Sequence, residues 1–174
     1  MIPETIDLDI CLQIADWDQE FPAYREHIES CFDVILECLP EGRALLDFPH
    51  LELSILLSDD QNIHALNRQY RGKDKATNVL SFPSLSQDDI KNILATGAAG
   101  QPVVLGDVIF ALETIKAEAH GQGKKFSDHF CHLCLHGILH LLGYDHVEEA
   151  EAEAMEALEK KLLGKLSIDD PYQD

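Results

Sequence analysis

The feature that most constrains the fold is a stretch with three histidines at 136–146, HGILHLLGYDH. His136 and His140 are four residues apart, so on an α-helix they lie about 40° apart and one turn along the same face. Gly143 follows on nearly that face, and glycine is the usual residue where a helix ends in a left-handed turn. A bend there brings His146 back toward the other two. The stretch therefore predicts a helix that ends near Gly143 and gathers three imidazoles.

The chemistry of these three side chains predicts a metal site. Three neutral imidazoles at roughly 2.0–2.1 Å from one ion leave a fourth position open, as in a catalytic zinc site. Two histidines four apart are common on helix surfaces, but HxxxHxxGxxH is a long and specific pattern. We therefore predict one zinc ion per chain, held by His136, His140 and His146. Protons compete for imidazole, so zinc affinity is expected to fall below about pH 6.5.

Four other potential ligands precede this stretch: His129, Cys131, His132 and Cys134. From His132 to His140 is roughly 12 Å of helix axis, so ligands stacked along the helix converge poorly on one ion. Cys134 lies about 160° around the helix from His136, on the opposite face. We therefore predict that the upstream histidines stay outside the metal site and that both thiols pack in the core.

The histidine pattern also matches the metzincin protease motif HExxHxxGxxH at every position except the second. The protease needs a glutamate there as general base, and this chain has Gly137. A glycine inside a helix costs about 1 kcal/mol relative to alanine, so we expect a neighbouring element to pack closely against it. The metal site therefore remains while the peptidase mechanism loses its base.

The rest of the chain alternates between strand-like and helix-like segments. Apolar patterning predicts strands at 5–14, 50–58, 77–83 and 102–110. Helices are predicted over 20–38 (ended by Pro40 and Gly42), 58–70 (capped by Ser58 with Gln61), 111–120, 127–143 (capped by Ser127 or Asp128) and 147–163. Residues 84–101 are expected to form a surface excursion with a short helical turn. Because there is no regular βαβ repeat, we predict one α+β domain over 1–174, with a four-stranded mixed sheet covered by helices and the metal site at the end of a central helix.

Charge limits the binding partners. The chain has 32 acidic residues and 13 lysines and arginines, for a formal net charge of −19. Nucleic-acid binding depends on cations that neutralise phosphates, so this surface cannot hold a long duplex. Four of the 13 basic residues nevertheless fall within RQYRGKDK at 68–75. A basic patch of that size suits one phosphate or a short single strand.

The cysteines and the N-terminus predict a cytoplasmic location. Five unevenly spaced cysteines indicate reduced thiols and not a disulfide framework. The sequence contains no apolar run of about 18 residues, so we expect no membrane span. The first residues carry acids where a signal peptide has a basic segment and then an apolar one.

Three blocks of the sequence resemble the YbeY family, bacterial zinc-dependent endoribonucleases that act in ribosomal RNA maturation. The blocks are LNRQYRGKDKATNVLSFP at 66–83, GDVIF at 106–110 and HGILHLLGYDH at 136–146. Their order and spacing fit the family, and one departure is Ala76, where the family usually has proline. The resemblance implies that the three histidines of the last block bind zinc and that Arg71 is the functional arginine.

Arg71 distinguishes a phosphodiester substrate from a peptide. A guanidinium can hold two phosphate oxygens in a planar fork and stabilise the charge that grows on them. The expected reaction is hydrolysis or transesterification of RNA, with a zinc-bound water as nucleophile or as base. Lys73 and Lys75 are expected to make secondary phosphate contacts, and Asp74 to hold the loop. Asp145 fits two roles equally, orienting a ligand histidine or stabilising a turn, and no general base is assigned.

The expected substrate is single-stranded RNA, in line with the small basic patch. The resemblance further implies a ribosomal RNA precursor as substrate, and the small ribosomal subunit with its proteins as the partners that deliver it. Two alternatives remain open at the level of sequence. One is a zinc-stabilised ribosome assembly factor with little catalysis, and the other is a degenerate metalloprotease-like hydrolase without its glutamate base.

Overall fold

A computed structural model of the protein describes residues 2–98 and 100–173. The described residues form four strands and eight helices, which confirms the predicted α+β fold. The strands are β1 (Ile6–Leu12), β2 (Leu51–Ser58), β3 (Val79–Pro83) and β4 (Val103–Ala111). The helices are α1 (Asp16–Glu20), α2 (Tyr24–Cys38), α3 (Pro40–Leu45), α4 (Asp60–Arg71), α5 (Gln87–Thr96), α6 (Leu112–Gly121), α7 (Phe126–Leu141) and α8 (Glu149–Lys165).

The four strands form one mixed sheet in the order β1-β2-β4-β3. β1 pairs with β2, and β2 with β4, in parallel, while β3 runs antiparallel to β4. β3 is therefore an edge strand, and the loops that precede and follow it are free to build a cleft beside the sheet.

Helix α7 is the central helix of the fold, as predicted. Ten of its 16 residues are buried, and it packs against α2, β3, β4, α6 and α8. Cys131 and Cys134 are 2 % and 0 % exposed, which confirms that both thiols belong to the core. A helix that is packed on most sides has a fixed position, so the backbone that carries the side chains at its C-terminal end is rigid.

Gly137 lies where α7 crosses the sheet, and the predicted close approach is confirmed. A Cβ atom at this position would lie 2.6 Å from Cγ1 of Val108 on β4. The hydroxyl of Ser81 on β3 donates a hydrogen bond of 2.9 Å to the carbonyl of Gly137. The glycine therefore sets the distance between the central helix and the strands beneath it.

The start of the helix predicted over 20–38 is wrong, whereas its end at Cys38 is confirmed. Residues 21–23 separate α1 from α2, which begins at Tyr24. Pro40 opens the short helix α3, where a missing N–H does no harm in the first turn. Gly42 allows α3 to fold back on α2, because a Cβ atom there would lie 2.1 Å from the carbonyl oxygen of Ile35.

Two predicted helix caps are also wrong. Asp59, and not Ser58, caps α4, since its carboxylate accepts a 2.8 Å hydrogen bond from the backbone N–H of Asn62. Helix α7 begins after Lys125 without a side-chain cap. Ser127 and Asp128 both lie inside its first turn.

Residues 84–101 contain more structure than the predicted turn. Helix α5 has ten residues and begins with a capping box, in which Ser86 and Asp89 each bond to the other's backbone N–H. Within the described residues, no helix combines the length and the apolar character that a membrane span requires.

Candidate metal centre

Three histidines converge at the C-terminal end of α7. The ligand-capable ring nitrogens of His136, His140 and His146 all lie within 4.8 Å of one another. Nε2 of His136 lies 3.0 Å from Nε2 of His140. The ring centre of His146 lies 5.5 Å from that of His136 and 5.0 Å from that of His140. The structure thus brings together the three side chains that the sequence pattern singled out.

The bend that returns His146 is built by the end of the helix. Gly143 adopts φ +93°, which a residue with a side chain rarely adopts. The N–H of Tyr144 donates to the carbonyl of Leu139 at 3.1 Å and closes the turn. The carboxylate of Asp145 accepts a 2.7 Å hydrogen bond from the backbone N–H of His146. Asp145 therefore stabilises this turn, the second of the two roles that its position allowed.

The orientation of the rings fits a metal ion bound through Nε2. Nδ1 of His136 faces a carboxylate oxygen of Glu159 at 2.5 Å, and Nδ1 of His140 faces the carbonyl of Tyr144 at 2.9 Å. Both partners are acceptors, so each Nδ1 carries the proton and each Nε2 presents a lone pair. Two lone pairs 3.0 Å apart repel each other unless a cation lies between them. Tetrahedral zinc at 2.0–2.1 Å would separate its nitrogen ligands by about 3.3 Å, close to this spacing.

The electrostatic environment keeps His140 neutral. Burial, together with the neighbouring His136 and His146, lowers the pKa of His140 to about 4, although the carbonyl of Tyr144 and the charge of Asp145 act in the opposite direction. Metal ions bind only the neutral imidazole. The ring of His140 is therefore ready to act as a ligand at neutral pH without first losing a proton.

Glu159 on α8 is a site residue that the sequence did not identify. It is 0 % exposed, and its two carboxylate oxygens meet Nδ1 of His136, Nε2 of His132 and the hydroxyl of Tyr172. Burial alone would raise the pKa of Glu159, but hydrogen bonds from these three partners lower it to about 2. One sequence signal could have identified it. Among the many glutamates of α8, Glu159 lies at helical spacing from the apolar residues Met155 and Leu162, on the face that is buried.

The upstream histidines have other partners. Nε2 of His129 meets a carboxylate oxygen of Glu118 at 3.0 Å, and Nε2 of His132 meets Glu159 at 3.2 Å. Neither belongs to the group of three converging rings. Their Nε2 atoms contact carboxylates, and neither residue is among those that line the cleft described below.

A cleft of about 750 Å³ opens in front of the three histidines. Arg71, Lys73 and Lys75 line it together with the histidines, so basic groups and the candidate ligands share one space. Asp145 is the one carboxylate among the described residues that line it. One oxygen of Asp145 is engaged in the turn, and no general base is assigned.

Arg71 is fixed at the edge of the sheet. It ends α4, where Gly72 adopts φ +67° as the C-cap. Its Nη2 donates a 2.7 Å hydrogen bond to the carbonyl of Ser81, and its guanidinium carbon lies 5.8 Å from the ring centre of Phe82. One of the five N–H donors of the guanidinium is thus used for positioning. Asp74 holds the following loop through a 2.7 Å contact with His64, as predicted.

A second group of potential ligands lies at β1 and β2, at the opposite edge of the sheet from β3. Asp7, His50 and Glu52 also have ligand atoms within 4.8 Å of one another. Asp7 and Glu52 are exposed, and His50 contacts Glu52 at 3.3 Å. Among the described residues, no buried group orients this cluster in the way that Glu159 orients His136. Asp107 lies on β4 and is not among the residues that line the cleft.

The fold and the site together define a class: small α+β proteins with a three-histidine candidate metal centre at the end of a central helix. Within this class, the chain belongs to the YbeY family, since residues 13–167 match the family model described as Endoribonuclease YbeY. A relative named Endoribonuclease YbeY from Paramagnetospirillum magneticum is 46% identical over 170 residues, 97% of this chain and 96% of the relative. One of the same name from Sinorhizobium medicae is 40% identical over 97% of this chain and 96% of the relative.

One further relative agrees with this assignment, and one solved structure shares the fold. A relative of the same name from Rhizorhabdus wittichii is 54% identical over 130 residues, 74% of this chain and 76% of the relative. The solution structure of TM1509 from Thermotoga maritima has a TM-score of 0.51 at 20% identity and covers 97% of this chain and 100% of that one. This structural likeness supports the fold alone.

Proposed function

We propose that residues 1–174 act as one metallo-endoribonuclease domain, with one zinc ion per chain held by His136, His140 and His146. The observation that carries the proposal is the pair of Nε2 atoms 3.0 Å apart, both oriented by acceptors on Nδ1 and both facing a basic cleft. Membership of a family described as Endoribonuclease YbeY supports RNA as the substrate.

The roles of the protein's own groups follow from their positions. Arg71 is anchored through one N–H to Ser81, so its remaining donors can hold the scissile phosphate and stabilise charge that develops on it. Lys73 and Lys75 line the same cleft and suit neighbouring phosphates. A zinc ion in this site would supply Lewis-acid activation of water. Asp145 is the one carboxylate among the described residues that line the cleft, and one of its oxygens is engaged in the turn. Water activated by the zinc ion would therefore serve either as the nucleophile or as the base for an attacking RNA 2′-hydroxyl.

The position of Gly137 argues against the peptidase alternative. In the protease motif this position supplies the catalytic glutamate. Here it faces Val108 and the sheet, where an added Cβ atom would have no space. A side chain at this position would clash with the sheet, so the packing that requires glycine here leaves no space for the glutamate of the protease motif.

The substrate that fits best is single-stranded RNA. The basic residues of the cleft suit a short segment, and the net charge of −19 opposes binding of a long duplex. We further propose a ribosomal RNA precursor as the substrate in a cytoplasmic setting, presented by the small ribosomal subunit and its proteins. Such delivery compensates for an acidic surface that does not attract RNA by itself.

A cleavage assay on a single-stranded ribosomal RNA precursor fragment tests the proposal. Arg71→Ala should keep zinc and the fold but lose about 100- to 1,000-fold in cleavage rate, the usual loss when one donor to developing charge is removed. Arg68→Ala is the matched control, because Arg68 is exposed on the same helix and is not among the cleft-lining residues. It should cleave at close to the wild-type rate, and chelated wild-type protein should not cleave.

Two outcomes would contradict the proposal. Undiminished cleavage by Arg71→Ala would remove the arginine from the mechanism. Zinc-loaded protein, freed of contaminating nucleases, that binds the RNA without ever cutting it would favour the assembly-factor alternative.

A further inference from the structure

The buried carboxylate of Glu159 has an environment that ordinary packing does not explain. It is 0 % exposed within an acidic helix, and both of its oxygens are engaged. A buried charge is costly unless it is paired and hydrogen-bonded. Its partners come from two places, the central helix α7 and the C-terminal segment 170–172.

We propose that Glu159 is a positioning residue for the metal centre and that the C-terminal segment 170–172 locks it in place. The proposal rests on the proposed zinc site. One oxygen of Glu159 accepts the Nδ1 proton of His136 and so fixes both the tautomer and the rotation of the ring. With Nδ1 protonated, the Nε2 lone pair of His136 must face the cleft.

The other oxygen is held from the opposite side. The hydroxyl of Tyr172 donates to it, and Nε2 of His132 contacts it at 3.2 Å. A carboxylate fixed at both oxygens cannot rotate, so His136 cannot rotate with it. His132 was a potential ligand in the sequence. In the structure it instead contacts the carboxylate that orients the ligand His136.

The C-terminal segment is itself tied to the body of the protein. Lys124 donates a 3.0 Å hydrogen bond to the carbonyl of Pro171, and Lys160 pairs with Asp170 at 3.4 Å. The backbone N–H of Tyr172 is capped by the carboxylate of Asp170 at 2.9 Å. These contacts hold the hydroxyl of Tyr172 against Glu159. The position of segment 170–172 is therefore coupled, through Glu159, to the orientation of the ligand His136.

Zinc affinity, measured by competition with a chromophoric chelator, tests the coupling. Glu159→Leu should bind zinc about 10- to 100-fold more weakly, the usual effect of losing an outer partner of a ligand histidine. Glu159→Gln should lose much less, because its amide oxygen still accepts the Nδ1 proton. Tyr172→Phe should be weakened by a smaller factor than Glu159→Leu. Glu153→Gln, an exposed change of the same charge on the same helix, should match the wild type.

A second readout does not need metal. In metal-free protein labelled with ¹⁵N-histidine, NMR should show His136 with its proton on Nδ1 in the wild type and in Glu159→Gln. Glu159→Leu should shift His136 toward the Nε2–H tautomer. If Glu159→Leu does not fold, Tyr172→Phe carries the test through its zinc affinity and its His136 spectrum.

The inference is overturned if folded Glu159→Leu keeps wild-type zinc affinity, or if His136 keeps its Nδ1 proton in that variant. Equal weakening in Glu159→Gln and Glu159→Leu would also overturn it, because hydrogen-bond acceptance would then not matter. Failure of the proposed function looks different. Wild-type protein that binds no zinc, or binds it and cleaves no RNA, contradicts the nuclease, while the tautomer of His136 still decides the role of Glu159.

Discussion

Two pairs of histidines on one helix have opposite arrangements. In the upstream pair, His129 and His132, each Nε2 meets a carboxylate. Each Nδ1 of that pair is buried without a hydrogen-bond partner among the residues that the structure describes. In the downstream pair, His136 and His140, each Nδ1 meets an acceptor and the two Nε2 atoms face each other.

The difference shows what turns a histidine into a ligand. Both pairs have helical spacing, and both lie on the same buried helix, so residue type and periodicity do not separate them. What separates them is which ring nitrogen receives the acceptor, because that choice decides where the lone pair points. Glu159 contacts both pairs, through Nε2 of His132 and Nδ1 of His136.

The largest expected effect comes from removing one downstream ring. His140→Ala should reduce zinc from one ion per chain to a small fraction and abolish RNA cleavage, because two remaining imidazoles are a poor site. His129→Gln should retain one zinc per chain, since its amide can still donate to Glu118. Metal analysis of both purified variants makes the measurement. Equal zinc loss in the two variants would erase the proposed distinction between the pairs.

Gly137 lies within the downstream pair, between His136 and His140, and sets the distance between α7 and the sheet. Gly137→Ala should destabilise the protein by about 1–3 kcal/mol, because the added methyl overpacks against Val108. Gly164→Ala on α8 is the control, since a Cβ atom there meets nothing within 4 Å. That change should be neutral or stabilise by up to about 1 kcal/mol. Urea unfolding compares them, and an unaffected Gly137→Ala would mean that the helix can move freely away from the sheet.

The stability of the metal-free protein should depend on pH through His140. The pKa of His140 is lowered to about 4, mainly by burial, whereas in the unfolded chain it is near 6.5. Between these values the unfolded state binds more protons, so stability from this group is complete above about pH 6.5 and is lost as the pH falls toward 4. The slope from one such group is at most about 1.4 kcal/mol per pH unit.

Unfolding of chelated protein by urea at several pH values between 7.5 and 4.5 measures this slope. His140→Gln cannot take up a proton there, so its stability should fall less steeply than that of the wild type. Identical slopes would show that His140 is not held neutral by the fold.

The smallest effect on the metal is expected at the thiols. Cys134→Ala should leave zinc at one ion per chain, because Cys134 is fully buried in the core and is not part of the histidine group. Cys131→Ala should behave in the same way. A drop in zinc content in either folded variant would place a sulfur ligand at the metal and contradict an all-histidine centre.

The local part of the site could be predicted from the sequence. His136, His140, Gly143 and His146 lie within one helix end and one turn, where spacing dictates geometry. The sheet and the central helix also followed from apolar patterning. Gly137 was recognised as a packing position because a glycine inside a helix needs a reason.

The rest depends on contacts between distant segments. Glu159 meets His136 from 23 residues away and only because α8 packs on α7. The C-terminal segment reaches the same carboxylate from a further 13 residues along the chain. Helix α5 was missed for a local reason, since its capping box uses Asp89 where glutamate or glutamine is the usual partner.

The most direct test of the account is a crystal structure of the zinc-loaded protein with anomalous data collected at the zinc edge. The account predicts one peak per chain, about 2.0–2.1 Å from Nε2 of His136, His140 and His146, with a fourth position facing Arg71. A single zinc ion bound instead to the group of Asp7, His50 and Glu52, with the three histidines empty, would contradict it.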